Sequence, residues 1–195
     1  IQVDEGNAVY SSDTYGVLYD KAKNTVICVP NLLKDSYRFP DTVCTIAENA
    51  FDDCMNLTEF RVPGTVRKIE REAFKNCESL VRLILEEGVE SIGAYAVYEC
   101  EALAYVSIPA SVKEISELRW SSELLTTAGP IGRGCAIEFG WKDRIPDGAF
   151  YRSALTEVNL PDTIKEIGSR AFYWCWNLTQ VQLPQELEII GERAF

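Results

Sequence analysis

The chain has 195 residues, enough for one domain with a sizeable core or for two small ones, and its 47% hydrophobic and 25% charged content is an ordinary globular balance. Lys and Arg number 19 against 30 Asp and Glu, a formal charge of −11, and the densest basic stretch, around Arg67, Lys68 and Arg71, is broken by Glu70 and Glu72; nucleic acid and anionic membranes are therefore not expected as partners. No run approaches ~18 uninterrupted apolar residues, so no membrane insertion is expected, and the absence of histidine removes Ser-His and Cys-His mechanisms and the commonest zinc ligand.

In chain order, Ile1–Val3 reads as a first strand, and GVLYDKAKNTVICVP reads as a hairpin turning at Lys23–Asn24. From Tyr37 the chain becomes periodic. YRFPDTVCTIAENAFDDCMNL aligns with FRVPGTVRKIEREAFKNCESL from Phe60, LILEEGVESIGAYAVYECEAL from Leu83 and VNLPDTIKEIGSRAFYWCWNL from Val158. The aromatic position recurs at Phe51, Phe74, Val97, Trp120, Phe150, Phe172 and Phe195, with spacings of 23, 23, 23, 30, 22 and 23 residues. A fixed period of this length is the signature of a solenoid.

Each unit has a physical reading. Pairs such as Phe60 and Val62 alternate as a short strand with one buried face. Pro63, Pro109, Pro161 and Pro184 then stop the strand, because proline cannot donate to a ladder. Val66 and Ile69 bring the chain back along the other side, and the Ala-Phe turn drops its ring into the core. The aromatic positions are thus expected in one buried column. The unit between Trp120 and Phe150 is seven residues longer than its neighbours. Aligning Leu125 with Leu155 places the inserted loop at about 132–141, in GRGCAIEFGW.

Cys54, Cys77, Cys100 and Cys175 each follow the aromatic position by three residues. They are expected as small buried thiols filling one slot of the core, not as a metal or redox ladder. Cys28, Cys44 and Cys135 stand outside that column, and their spacing leaves a disulfide among them open. Gly129-Pro130-Ile131-Gly132-Arg133-Gly134 lacks the Lys-Ser/Thr ending of a phosphate-binding loop. The sequons at Asn56 and Asn177 coincide with the register of the repeat leucines.

VKEIS, IKEIGSRAF and VESIGAYAV, together with GNAVYSSDTYGVLYDKAKNTVI and LTTAGPIGRGCAIEFGWKDRIPDGAF, resemble the BspA-like leucine-rich-repeat family of bacterial cell-surface proteins over the whole chain. The last two look like its hairpin variant and its variant with an inserted loop. The resemblance implies an α/β, β-rich repeat protein: a right-handed solenoid of about seven coils of ~23 residues. On that reading residues 1–195 form one solenoid, with the hairpin-type repeat at 1–36. It also implies an extracellular or cell-surface location, adhesion or binding of host or matrix proteins or glycans, and no catalytic residue. Stopping at Phe195, in mid-repeat, the chain is expected to be part of a longer parent.

No enzyme, cofactor or metal site is expected. A carboxylate pair could sit among 30 acidic residues, but Glu70, Glu90, Glu114 and Glu166 fall at repeat positions that solubility explains, and solenoid surfaces rarely close a pocket. Two surfaces are candidates for ligand binding. One is the outward strand face, comprising Glu59, Arg61, Arg82, Ile84, Tyr105, Ser107, Thr127, Glu157, Asn159, Gln180 and Gln182; Arg82, Ile84 and Tyr105, beside Val81, carry its Arg and aromatic character. The other is the edge after Ala-Phe, with Tyr98, Tyr151, Tyr173, Trp174 and Trp176. The competing expectation is a structural spacer with no ligand of its own.

Overall fold

The computed structural model describes residues 1–115, 136–151, 157–176 and 178–195. Its coils consist of strand and turn, with no helix among the described residues. The chain opens without a strand at Ile1–Val3; the first, β1, is Tyr10–Ser12. It pairs antiparallel with β2 (Leu18–Asp20), which pairs antiparallel with β3 (Thr25–Cys28) across a turn where Lys23 takes a φ of 56°. Asp20 fixes that turn by accepting the N–H groups of Asn24 and Thr25 at 2.7 and 3.1 Å.

Parallel ladders then follow among the described residues. The longer strands β5 (Glu59–Val62), β7 (Arg82–Leu85), β9 (Tyr105–Ile108) and β11 (Ala136–Phe139) form one, and β13 (Glu157–Asn159) pairs with β15 (Gln180–Gln182). The two-residue strands β4 (Thr45–Ile46), β6 (Lys68–Ile69), β8 (Ser91–Ile92) and β10 (Glu114–Ile115) continue the sheet begun by β1–β3. Likewise β12 (Arg144–Ile145), β14 (Glu166–Ile167) and β16 (Ile189–Ile190) form a three-stranded ladder. The register matches the repeat: Phe60 lies beside Leu83 and Leu83 beside Val106, while Val26, Ile46, Ile69, Ile92 and Ile115 line up coil after coil.

Proline does more than end the long strand. Its carbonyl accepts the turn hydrogen bond from the apolar residue three ahead, as in Val66 N to Pro63 O at 3.0 Å and Ile164 N to Pro161 O at 3.0 Å. Proline suits this site because its missing N–H leaves no orphan donor. The Ala-Phe turn is a third line of hydrogen bonds between coils. Phe51, Phe74, Phe150 and Phe172 donate their N–H to the alanine carbonyl of the next coil at 2.6–2.8 Å. Residues two before and two after the ring take left-handed φ, among them Asn49, Asp53, Glu72, Asn76 and Arg170, and their N–H groups also donate to the next coil.

One hydrophobic cluster extends from Val17 to Ala194. The aromatic column lies inside it: Phe51, Phe74, Val97, Phe150 and Phe172 are all buried, with Phe51 and Phe74 stacked at 4.5 Å and Phe150 and Phe172 at 5.2 Å. Trp120 lies outside the described residues. At the last coil, stacked on one side only, Leu183, Ile189, Ile190 and Phe195 are 45–52% exposed.

The inserted loop is placed differently from the sequence expectation. Residues 136–139 of the expected loop at 132–141 are strand β11, paired in register with β9 from Ala136↔Tyr105 to Phe139↔Ile108. Trp141 is buried at 6% exposure, donates Nε1–H to Val112 O at 3.0 Å and packs edge-on against Phe150. From Ile108 to Phe139 is 31 residues, against 23 from Leu85 to Ile108, so the extra residues precede Ala136. Residues 132–135, the glycine run 129–134, Leu125, Thr127 and Cys135 lie outside the described residues.

Candidate binding surfaces

The first surface grows out of strand alternation. On β5, β7 and β9, Phe60, Val62, Leu83, Leu85, Val106 and Ile108 face the core, which turns Glu59, Arg61, Arg82, Ile84, Tyr105 and Ser107 outward. Register sets Glu59, Arg82 and Tyr105 side by side on neighbouring coils. Arg82 Nε is 3.3 Å from Glu59 Oε2, and its guanidinium lies 4.3 Å from the centroid of the Tyr105 ring. Arg61 reaches Glu86 at 3.5 Å. The expected cluster is therefore brought together, but as a row of polar side chains that already partner one another. Exposed pairs of this kind contribute little to stability. Val81, 40% exposed, is at its rim.

The second surface is the turn after Phe172. Tyr151 and Tyr173, on adjacent coils, are near-parallel at 6.0 Å; Trp174 lies 5.5 Å from Tyr173, 6.1 Å from Tyr151 and 6.2 Å from Trp176. The four rings form one contiguous group. Trp176 is 77% exposed and Trp174 is 37% exposed. Trp174 holds a left-handed φ of 62°, so a residue poorly suited to that conformation occupies it. A cavity of about 380 Å³ adjoins the group, bounded by Trp174, Trp176, Thr179, Gln180 and Phe195. Tyr98 is apart from these rings, edge-on to Tyr95 at 5.9 Å.

Of the repeat cysteines, Cys54, Cys77 and Cys100 are buried and Cys175 is partly buried. Cys77 donates to Phe51 O at 3.2 Å, Cys100 to Phe74 O at 3.0 Å and Cys175 to Phe150 O at 3.0 Å. The repeated cysteine thus occupies a small slot and satisfies the carbonyl of the preceding coil's aromatic residue. For Cys54, the neighbouring Cys77 thiol and then burial push ionisation well above the ordinary thiol range; for Cys77, the Cys100 thiol does so, reinforced by burial. Cys28, Cys44, Cys54, Cys77, Cys100 and Cys175 are unbridged. Among the described residues, no three His, Cys, Asp or Glu side chains are grouped so that they could hold a metal. Among the described residues, no helix is long and apolar enough to cross a membrane.

The family model described as BspA type Leucine rich repeat region matches residues 32–127 and 143–195 in six copies. The chain belongs to this family. Solved structures are similar in fold. A leucine-rich repeat protein from Eubacterium ventriosum is 19% identical with a TM-score of 0.63, covering 100% of this chain and 51% of its own. The pneumococcal vaccine antigen PcpA is 20% identical with a TM-score of 0.67, covering 98% of this chain and 49% of its own. The chain thus spans about half the length of these two proteins. No curated protein is similar enough to match it.

The sequence pointed to both surfaces but not to a third, at the amino-terminal hairpin, where Tyr15, Leu32, Lys34 and Arg38 line one cavity. Those residues fall outside the clearest repeats. The one available signal was Lys34 and Arg38 lying close together in an acidic chain.

Proposed function

We propose that this BspA-type solenoid binds a macromolecule non-covalently at a cell surface or outside the cell, and that its partner is a host or matrix protein or a glycan. The observation that carries this reading is the contiguous group Tyr151, Tyr173, Trp174 and Trp176, with Trp176 77% exposed. Exposed aromatic patches mark interaction surfaces, and Trp, Tyr and Arg dominate binding hot spots. Tyr173, Trp174 and Trp176 are the primary contacts on this reading, with Arg82, Ile84 and Tyr105 a second surface. Binding needs no cofactor and no turnover. The test is a screen of the purified chain against immobilised matrix proteins and a glycan array. Saturable binding that an aromatic-edge variant reduces supports the reading.

A structural spacer is the second reading, and one observation favours it. Glu59, Arg82 and Tyr105 already satisfy one another along the strand face, leaving that ladder little unspent interaction. A chain that binds nothing in either screen leaves the spacer in possession.

A further inference from the structure

Away from both surfaces, the segment joining the hairpin to the first full coil encloses a cavity of about 530 Å³. Leu33 and Tyr37 are buried at its base, Pro30 is partly buried beside them, and Tyr15 and Leu32 stand in its wall at 69% and 79% exposure. Tyr15 is held edge-on against Tyr37 at 5.2 Å. The cavity also carries Lys34, Ser36 and Arg38. Arg38 donates Nη1–H to the main-chain carbonyls of Asp35 and Tyr37 at 3.1 and 2.7 Å, which steadies its stem and leaves its charge uncompensated. Among the described residues, neither Lys34 nor Arg38 pairs with a carboxylate.

Asp35, between the two cations in sequence, and Asp13, which accepts the hydroxyl of Tyr37 at the base of the cavity, are otherwise engaged. Asp35 accepts Thr58 N at 2.9 Å, Thr58 Oγ1 at 2.5 Å and Glu59 N at 3.2 Å; burial pushes its carboxyl up, but those bonds outweigh burial and hold it below the ordinary range. Asp13 accepts the N–H groups of Tyr15 and Val17 and the hydroxyls of Tyr19 and Tyr37. Lys34 and Arg38 thus place two positive charges, both on exposed side chains, beside the apolar wall formed by Tyr15, Leu32 and Leu33. The volume falls within the range of small-ligand sites, which are mostly apolar with a few placed polar groups.

We infer that this cavity binds an amphipathic organic carboxylate: an acyl or aryl body lying against Tyr15, Leu32 and Leu33, with its carboxylate held by Lys34 and Arg38. The site is independent of the aromatic edge and does not rest on the proposed function. The test uses three probes of one chain length and different head charge, octanoate, octanol and octylammonium, titrated into the isotope-labelled chain and followed by amide chemical shifts. Octanoate is expected to shift amides of residues 15–16 and 31–38, octanol less and octylammonium least. Lys34→Gln and Leu32→Ser each change an exposed side chain, and each is expected to weaken octanoate roughly fivefold or more with an unchanged melting temperature. Raising salt should weaken octanoate and leave octanol unaffected. The inference is overturned if octanoate causes no localised shifts, if octylammonium binds as well, or if Lys34→Gln leaves octanoate unchanged.

Discussion

At the scale of single residues, the Phe turn depends on backbone conformations that most side chains resist. Asn49, Asp53 and Asn76 suit left-handed φ, whereas Glu72, Tyr95, Glu99, Arg170 and Trp174 suit it poorly, and coil-to-coil bonds from their N–H groups hold Glu72 and Arg170 there. Gly148 isolates this cost: its φ is +64°, and an added Cβ would meet nothing within 4 Å. Gly148→Ala should therefore destabilise by about 1 kcal/mol in urea unfolding through φ alone, and Gly148→Asn by less. Equal stability of glycine and alanine would contradict the geometry. The thiols provide a second residue-scale prediction. Cys54, Cys77 and Cys100 are buried with suppressed ionisation or a carbonyl partner, while Cys44 is exposed. A thiol reagent should label Cys44 in the native protein and those three only on unfolding, as peptide mapping by mass spectrometry would show. The cysteine slot was legible from the repeat, because position alone implied burial. Its partner, the preceding coil's aromatic carbonyl, was not, since no residue type encodes it.

At the scale of the element, each coil stands only by stacking. Phe74 is fully buried and stacked on Phe51 at 4.5 Å, so Phe74→Ala should cost about 3–5 kcal/mol in denaturant unfolding, mostly through the cavity it leaves. The inserted repeat shows where sequence reading reaches its limit. Counting back from Phe150 puts Ile145 five residues before the ring, as Ile69 stands before Phe74, and the alternation of Ile137 and Phe139 marks a strand. Anchoring the alignment on Leu125 hid that strand, because the insertion separates the repeat leucine from the strand that follows it. Trp141 tests the corrected register. Trp141→Phe keeps most of the ring but strands the buried Val112 carbonyl, and should cost roughly 1–3 kcal/mol. A neutral effect on the melting curve would return Trp141 to a solvent loop. Likewise Ile1–Val3, with its alternating apolar ends, read as a strand but pairs with none; Ile1 is 55% exposed and buries no apolar face there.

At the scale of the molecule, the fold was more legible than the site. A constant period forces neighbouring coils to present the same residues, so the buried column and the parallel ladders follow from spacing alone. A binding surface has no such redundancy: Arg82, Ile84 and Tyr105 share a face as alternation requires, yet their mutual pairing appears only when side chains are placed. The aromatic edge differs, because four rings gather in one place and Trp176 remains mostly in water. The most direct measurement is the binding isotherm, on the ligand that the screen identifies, of the native chain against Trp174→Ala with Trp176→Ala and, separately, Arg82→Ala with Tyr105→Ala. Truncating a true anchor costs about 2 kcal/mol or more, roughly thirtyfold in affinity. The aromatic-edge pair should show at least that loss with an unchanged circular dichroism spectrum. Affinity that survives the tryptophan pair intact would contradict the claim that this edge is the binding surface.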